Sequence, residues 1–108
     1  MNNQELEYRV LKLLDENPKI TQREMASALG VSLGKTHYVL RACIELGWVK
    51  LDNFRKSDSK WGCAYLLTPE GVWERGQLTR KFLLIKQLEY NALKNEIRDL
   101  MEEMKELK

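Results

Sequence analysis

The sequence is poor in the residues that catalysis and metal binding usually draw on. Its 108 residues include one histidine, His37, and two cysteines, Cys43 and Cys63. The cysteine separation fits no zinc pattern, and a single histidine cannot complete a ligand set, so no metal site is expected. There is no glycine-rich phosphate loop and no nucleophile–histidine arrangement, so an enzyme has little support and no cofactor is expected. No apolar run approaches the ~20 residues of a membrane span. The start, MNNQELEYRV, lacks a charged segment followed by an apolar one, so no secretory signal is expected. These absences point to a soluble cytoplasmic protein whose two thiols stay reduced.

The net charge of +2 becomes informative when divided along the chain. Residues 1–34 carry four basic and five acidic side chains, residues 35–60 carry six and three, and residues 61–108 carry eight of each. The positive excess therefore sits in the middle third, where it can attract phosphate locally.

Pattern and punctuation predict the elements. Residues 5–16 place Leu6, Val10, Leu13 and Leu14 on one helical face, and Asn17-Pro18 ends that helix. Thr21 and Glu24 form a capping box. The helix they open turns Met25, Ala26 and Leu29 inward and stops at Gly30. Val31 is expected to be buried, and Ser32 to cap a third helix over residues 33–46, terminated by Gly47. The third helix's expected stripe is Thr36, Leu40, Cys43 and Ile44. Two helices joined by Gly-Val-Ser make a helix-turn-helix. VKLDNF (49–54) and CAYLLT (63–68) read as strands flanking a polar loop, RKSDSKWG. Three helices and a hairpin are the order of a winged helix. Thr68 and Pro69 then open a final helix that meets no further proline. Gly71 and Gly76 weaken its first turns by roughly 1 kcal/mol each, so a bend near Gly76 is allowed. Straight, this helix would be about 60 Å long.

The expected fold is thus mainly α with a small β-hairpin wing. A winged helix-turn-helix over 1–70 precedes a long C-terminal helix over 71–108.

With its stripe inward, the third helix turns Gly34, Lys35, Tyr38 and Arg41 outward, with His37 on the flank. Lysine and arginine can meet phosphates or the acceptors of guanine. Gly34 would let the backbone come close to a duplex. Gln22 and Arg23 lie in the first turn of the second helix, where free N–H groups favour phosphate. Arg55, Lys56 and Lys60 in the wing would reach an adjacent minor groove or its phosphates. Singly, each charge could equally be an ordinary solvated side chain, and Tyr38 could pack on the wing.

The final helix has a heptad register. Leu83, Tyr90, Ile97 and Met104 occupy a positions, and Leu93, Leu100 and Leu107 occupy d positions, with Lys86 interrupting d. Leucine at d with Ile97 at a suits a two-stranded coil. In a parallel pair, Glu89 at g faces Lys94 at e, and Glu103 faces Lys108. An antiparallel pair would oppose glutamates. A parallel homodimer is expected, the alternative being that the stripe packs on its own domain.

The segments QREMASALGVSLGKTHYVLRACIELGWVK, NFRKS and YLLTPEG resemble MarR-family winged-helix transcriptional regulators. They are most similar to the small subgroup associated with exopolysaccharide (EPS) biosynthesis genes. That subgroup's C-terminal pattern is met by Phe82-Leu83, Lys86, Glu89-Tyr90, Leu93 and Glu96-Ile97. The resemblance implies a homodimeric bacterial regulator that binds double-stranded DNA, with exopolysaccharide genes as its target. It makes Ser32, Gly34, Lys35, His37, Tyr38 and Arg41 groove residues and Arg55 to Lys60 the wing. Family members usually begin with an extra helix and hold an effector between domains. Here that room is reduced, so a small-molecule effector is doubtful, and a redox role for Cys63 has little support. The competing expectation is a winged helix that has abandoned DNA and serves as a protein-interaction module through its coil.

Overall fold

The computed structural model describes residues 2–57 and 60–107, and the side chains at 54–61 lie outside that description. The elements follow in the order α1 (Asn3–Glu16), α2 (Gln22–Leu29), α3 (Leu33–Glu45), β1 (Val49–Ser57), β2 (Lys60–Leu67) and α4 (Pro69–Glu106). The chain divides into two compact units, Met1–Leu78 and Thr79–Lys108.

Local signals set the helix limits of the first unit. Asn2 caps α1 by accepting a hydrogen bond from the Glu5 N–H. The capping box of α2 forms in both directions: the Glu24 N–H donates to Thr21 Oγ1 at 3.1 Å, and the Thr21 N–H donates to Glu24 Oε1 at 3.1 Å. Gly30 ends α2 in the left-handed region at φ 70°, a conformation that costs glycine little. Its N–H returns to the Ala26 carbonyl. The Ser32 hydroxyl then accepts from the Lys35 N–H at 3.0 Å and starts α3. Such caps each contribute about 1 kcal/mol.

The core is Leu6, Val10, Leu11 and Leu14 of α1, Met25, Ala26 and Leu29 of α2, and Thr36, Val39, Leu40 and Cys43 of α3. Leu11 takes the buried place expected for Leu13, which is half-buried. Val39 joins the α3 stripe, while Ile44 is half-buried, as is Val31. Thr36, fully buried, satisfies its hydroxyl by donating to the Ser32 carbonyl at 3.0 Å. A buried leucine contributes about 1.5–3 kcal/mol over an exposed one, so these three helices hold each other chiefly by apolar burial.

The hairpin is longer than expected. β1 and β2 pair antiparallel from Val49↔Leu67 to Ser57↔Lys60, with an irregularity between Arg55 and Ser57. Most of the segment expected as a polar loop is thus strand: backbone pairing continues into it, because a ladder uses main-chain groups and does not require apolar side chains. The hairpin is tied to the turn between α1 and α2 by the Tyr65 N–H, which donates to the Pro18 carbonyl at 2.9 Å.

The beginning of α4 belongs to this first unit. Thr68 caps it, its hydroxyl accepting from the Gly71 N–H at 3.0 Å and donating to the Gly47 carbonyl at 2.6 Å. Gly71 and Leu78 are buried, and Arg75 pairs with Asp15 of α1.

The second unit is the remainder of α4. Helical structure continues through Gly76 and on to Glu106. Its heptad side chains are open to solvent, with Ile97 the least exposed at 46% and Leu107 the most at 76%, while Phe82 and Ile85 are half-buried.

Candidate nucleic-acid interface

One surface of the first unit gathers most of the candidate residues. On α3, Gly34, His37, Tyr38 and Arg41 are all exposed. Their spacing of three, one and three residues keeps them on one helical face. A Cβ added at Gly34 would meet nothing within 4 Å. No intramolecular packing therefore requires a glycine there.

Neighbouring elements hold these side chains in place. His37 Nδ1 lies 3.2 Å from Gln22 Oε1 in the first turn of α2. Gln22 Nε2 in turn donates to the Tyr65 hydroxyl of β2 at 3.3 Å. Recognition-type helix, preceding helix and wing base are thereby joined by one chain of side-chain hydrogen bonds. Beside it runs a groove of about 230 Å³, lined by Gln22, His37, Leu40, Arg41, Ile44, Leu51 and Tyr65. Leu51 and Tyr65 are partners in the hairpin register. They bring a half-apolar wing base up to α3.

The cations differ in their freedom. Arg41 Nε donates to Glu45 Oε1 at 3.1 Å, one turn on, with both side chains about two-thirds exposed. Such an exposed pair exchanges readily for another anion. Lys35 is half-buried, and its Nζ donates to Asn3 Oδ1 at 3.0 Å while lying 5.2 Å from the Tyr38 ring centroid. Lys35 therefore covers one side of Tyr38 by a cation–π contact and leaves the ring held. Arg23 is exposed in the first turn of α2, and exposed Ser32 is engaged in its cap. The side chains of Arg55, Lys56 and Lys60 lie outside the described residues.

Sequence pattern had singled out Gln22, His37 and Arg41, but not Tyr65, Leu51, Glu45 or Asn3. Gln22 and Tyr65 stand 43 positions apart, and no local spacing announces such a contact.

The two thiols are not part of this surface's polar chain. Cys43 is buried in the core, and burial, followed by the nearby Glu7 carboxylate, pushes its thiol up to about 12. Cys63, exposed on β2, donates to Asn53 Oδ1 across the ladder at 3.4 Å.

Comparisons with known proteins agree with this geometry. Residues 4–50 match the family described as winged helix-turn-helix DNA-binding. No curated protein matches in sequence. Among solved structures, the apo form of MarR from E. coli is similar with a TM-score of 0.56 and 24% identity, covering 68% of this chain and 53% of that one. A point mutant of MepR from S. aureus, solved bound to an oligodeoxyribonucleotide, is similar with a TM-score of 0.59 and 16% identity, covering 100% and 80%. A MarR/EmrR family transcriptional regulator from Acinetobacter is similar with a TM-score of 0.59 and 14% identity, covering 92% and 71%. The chain spans about half the length of the E. coli structure. At these identities the likeness is one of fold: the chain has the winged-helix fold of MarR-type regulators.

Proposed function

We propose that the protein is a sequence-specific, double-stranded DNA-binding transcriptional regulator that acts as a homodimer in the cytoplasm, and is not an enzyme. The observation that carries this reading is the exposed face of α3, where Gly34, His37, Tyr38 and Arg41 stand together open to solvent. A face of this composition suits the major groove: Arg41 can meet guanine acceptors or phosphate, and Tyr38 offers a flat apolar ring with a hydroxyl. Gln22, Arg23, Ser32 and Lys35 flank it at the starts of α2 and α3, where free N–H groups and positive charge favour phosphate. Arg55, Lys56 and Lys60 would meet the backbone beside it.

Two copies are needed for two half-sites, and the reading assigns the pairing to α4. Leu83, Tyr90, Leu93, Ile97, Leu100, Met104 and Leu107 form a heptad stripe that is exposed in the single chain. A parallel pair matches Glu89 with Lys94 and Glu103 with Lys108. Glu89 already pairs with Lys86 at 3.2 Å within its own helix, but that pair is more than half exposed and yields at little cost. Exopolysaccharide genes are the target implied by the sequence resemblance.

Gel shifts on a selected site and on random duplex test the interface. Arg41→Ala should weaken the selected site more than random DNA, and Lys56→Ala should weaken both alike. Equal loss on both for Arg41→Ala contradicts the groove assignment.

A further inference from the structure

We infer that Gln22 and Tyr65 lock His37 in its Nδ1–H form, so that its Nε2 accepts a hydrogen bond from an exocyclic amine of adenine or cytosine in the major groove. The inference rests on the duplex-binding reading above and assigns a specificity-determining role within it.

The argument follows the donors. Gln22 Nε2 can only donate, and it faces the Tyr65 hydroxyl at 3.3 Å. The Tyr65 hydroxyl can donate as well as accept, so it does not by itself fix the amide; the structure turns Nε2 to that hydroxyl and Oε1, which can only accept, to the ring. That oxygen lies 3.2 Å from His37 Nδ1. With the amide in this orientation Nδ1 carries the hydrogen, and in the neutral ring Nε2 is left with a lone pair. This reverses the usual preference of a free histidine side chain, whose hydrogen sits mainly on Nε2. No other hydrogen bond to His37 occurs among the described residues. The ring is exposed on the α3 face, between Gly34 and Arg41.

An acceptor on this face complements a base edge that donates. In the major groove those donors are the N6 amine of adenine and the N4 amine of cytosine, while guanine and thymine offer acceptors there. Arg41, a donor only, reads the opposite kind of edge. Adjacent positions on α3 would thus discriminate by opposite polarity. Tyr65 lies remote from the base and acts through Gln22 as a positioning residue.

Two measurements test this. The single histidine makes the first unambiguous: ¹⁵N NMR of the neutral ring in the free protein reports which nitrogen is protonated. Nδ1–H should dominate in the wild type and lose its dominance in Tyr65→Phe, which keeps the ring but removes the acceptor for Gln22. A dominant Nε2–H form in the wild type, or a Tyr65→Phe spectrum identical to wild type, overturns the lock.

The second uses a duplex selected by the wild-type protein, with each adenine replaced in turn by purine and each cytosine by 2-pyrimidinone, which lack the exocyclic amine. At one position per half-site the loss should weaken wild-type binding by about five- to tenfold. The position at which it occurs identifies adenine or cytosine. His37→Ala should be insensitive to that same change. If wild type binds the duplex yet both proteins respond alike at every position, the duplex-binding reading stands and the histidine assignment falls. If wild type selects no duplex, the reading beneath it fails and the base assignment with it.

Discussion

The backbone of Trp48 touches Gly71: a Cβ built on Gly71 would lie 1.9 Å from the Trp48 carbonyl oxygen. The turn between α3 and β1 and the first turn of α4 meet here without room for a methyl group. The Thr68 N–H donates to that same carbonyl at 3.0 Å, so the oxygen cannot easily move aside.

Gly71→Ala should therefore destabilise the first unit by about 2–3 kcal/mol, in the range for overpacked sites. Gly76→Ala should do the reverse. A Cβ there meets nothing, and the helix-propensity gain is about 1 kcal/mol. Urea unfolding of the two variants checks both signs. A neutral Gly71→Ala would contradict the close approach.

These two glycines show where sequence reading stops. As sequence, both are helix weakeners in one stretch, and only the fold separates a contact from an open surface. Signals that act over three or four residues were legible: Thr21 with Glu24, Gly30 at positive φ, Ser32 on Lys35. Of the outward set Gly34, Lys35, Tyr38 and Arg41, with His37 on the flank, all but Lys35 stand in the open as helical period placed them; Lys35 is half-buried and tied to Asn3. Leu11 against Leu13 was not legible, since a stripe inferred from period leaves adjacent edge positions undecided. Long-range side-chain contacts left no trace in local pattern: Lys35 with Asn3 spans 32 positions and Gln22 with Tyr65 spans 43. The extent of the hairpin escaped for a different reason, because main-chain pairing runs on through Arg55, Ser57 and Lys60, polar residues that carry no strand pattern.

Glu7 should make the protein less stable as pH rises. Partial burial, and secondly the negative charge of Glu74, raise its carboxyl above the ordinary value. Its ionisation therefore costs more folded than unfolded, and stability falls as pH climbs from the ordinary carboxylate range through the raised value. Glu7→Gln should melt higher than wild type at pH 7, with the difference shrinking towards acid. Thermal melts across pH 3–8, a range set around the usual carboxylate value of about 4.3, measure this. A constant difference at all pH values would contradict it.

Glu45 should restrain Arg41. Removing the carboxylate frees the guanidinium and deletes a negative charge near the face offered to phosphate. Glu45→Gln should tighten binding to both duplexes at low salt, by roughly two- to fivefold and more on the selected than on the random one, while the lost exposed pair costs about 0.3–0.5 kcal/mol of stability. Salt titrations of both duplexes separate the two effects. Unchanged affinity at low salt would mean that Arg41 does not engage the duplex.

Selection from a random duplex pool at low salt, with the mass of the bound species determined in parallel, tests the central claim most directly. Two α3 faces on one pair of chains predict enrichment of an inverted repeat. Its half-sites should be centred about one helical turn, roughly 10 base pairs, apart and bound by two copies of the chain. An unenriched pool, or a repeat-free site held by a single copy, would contradict it.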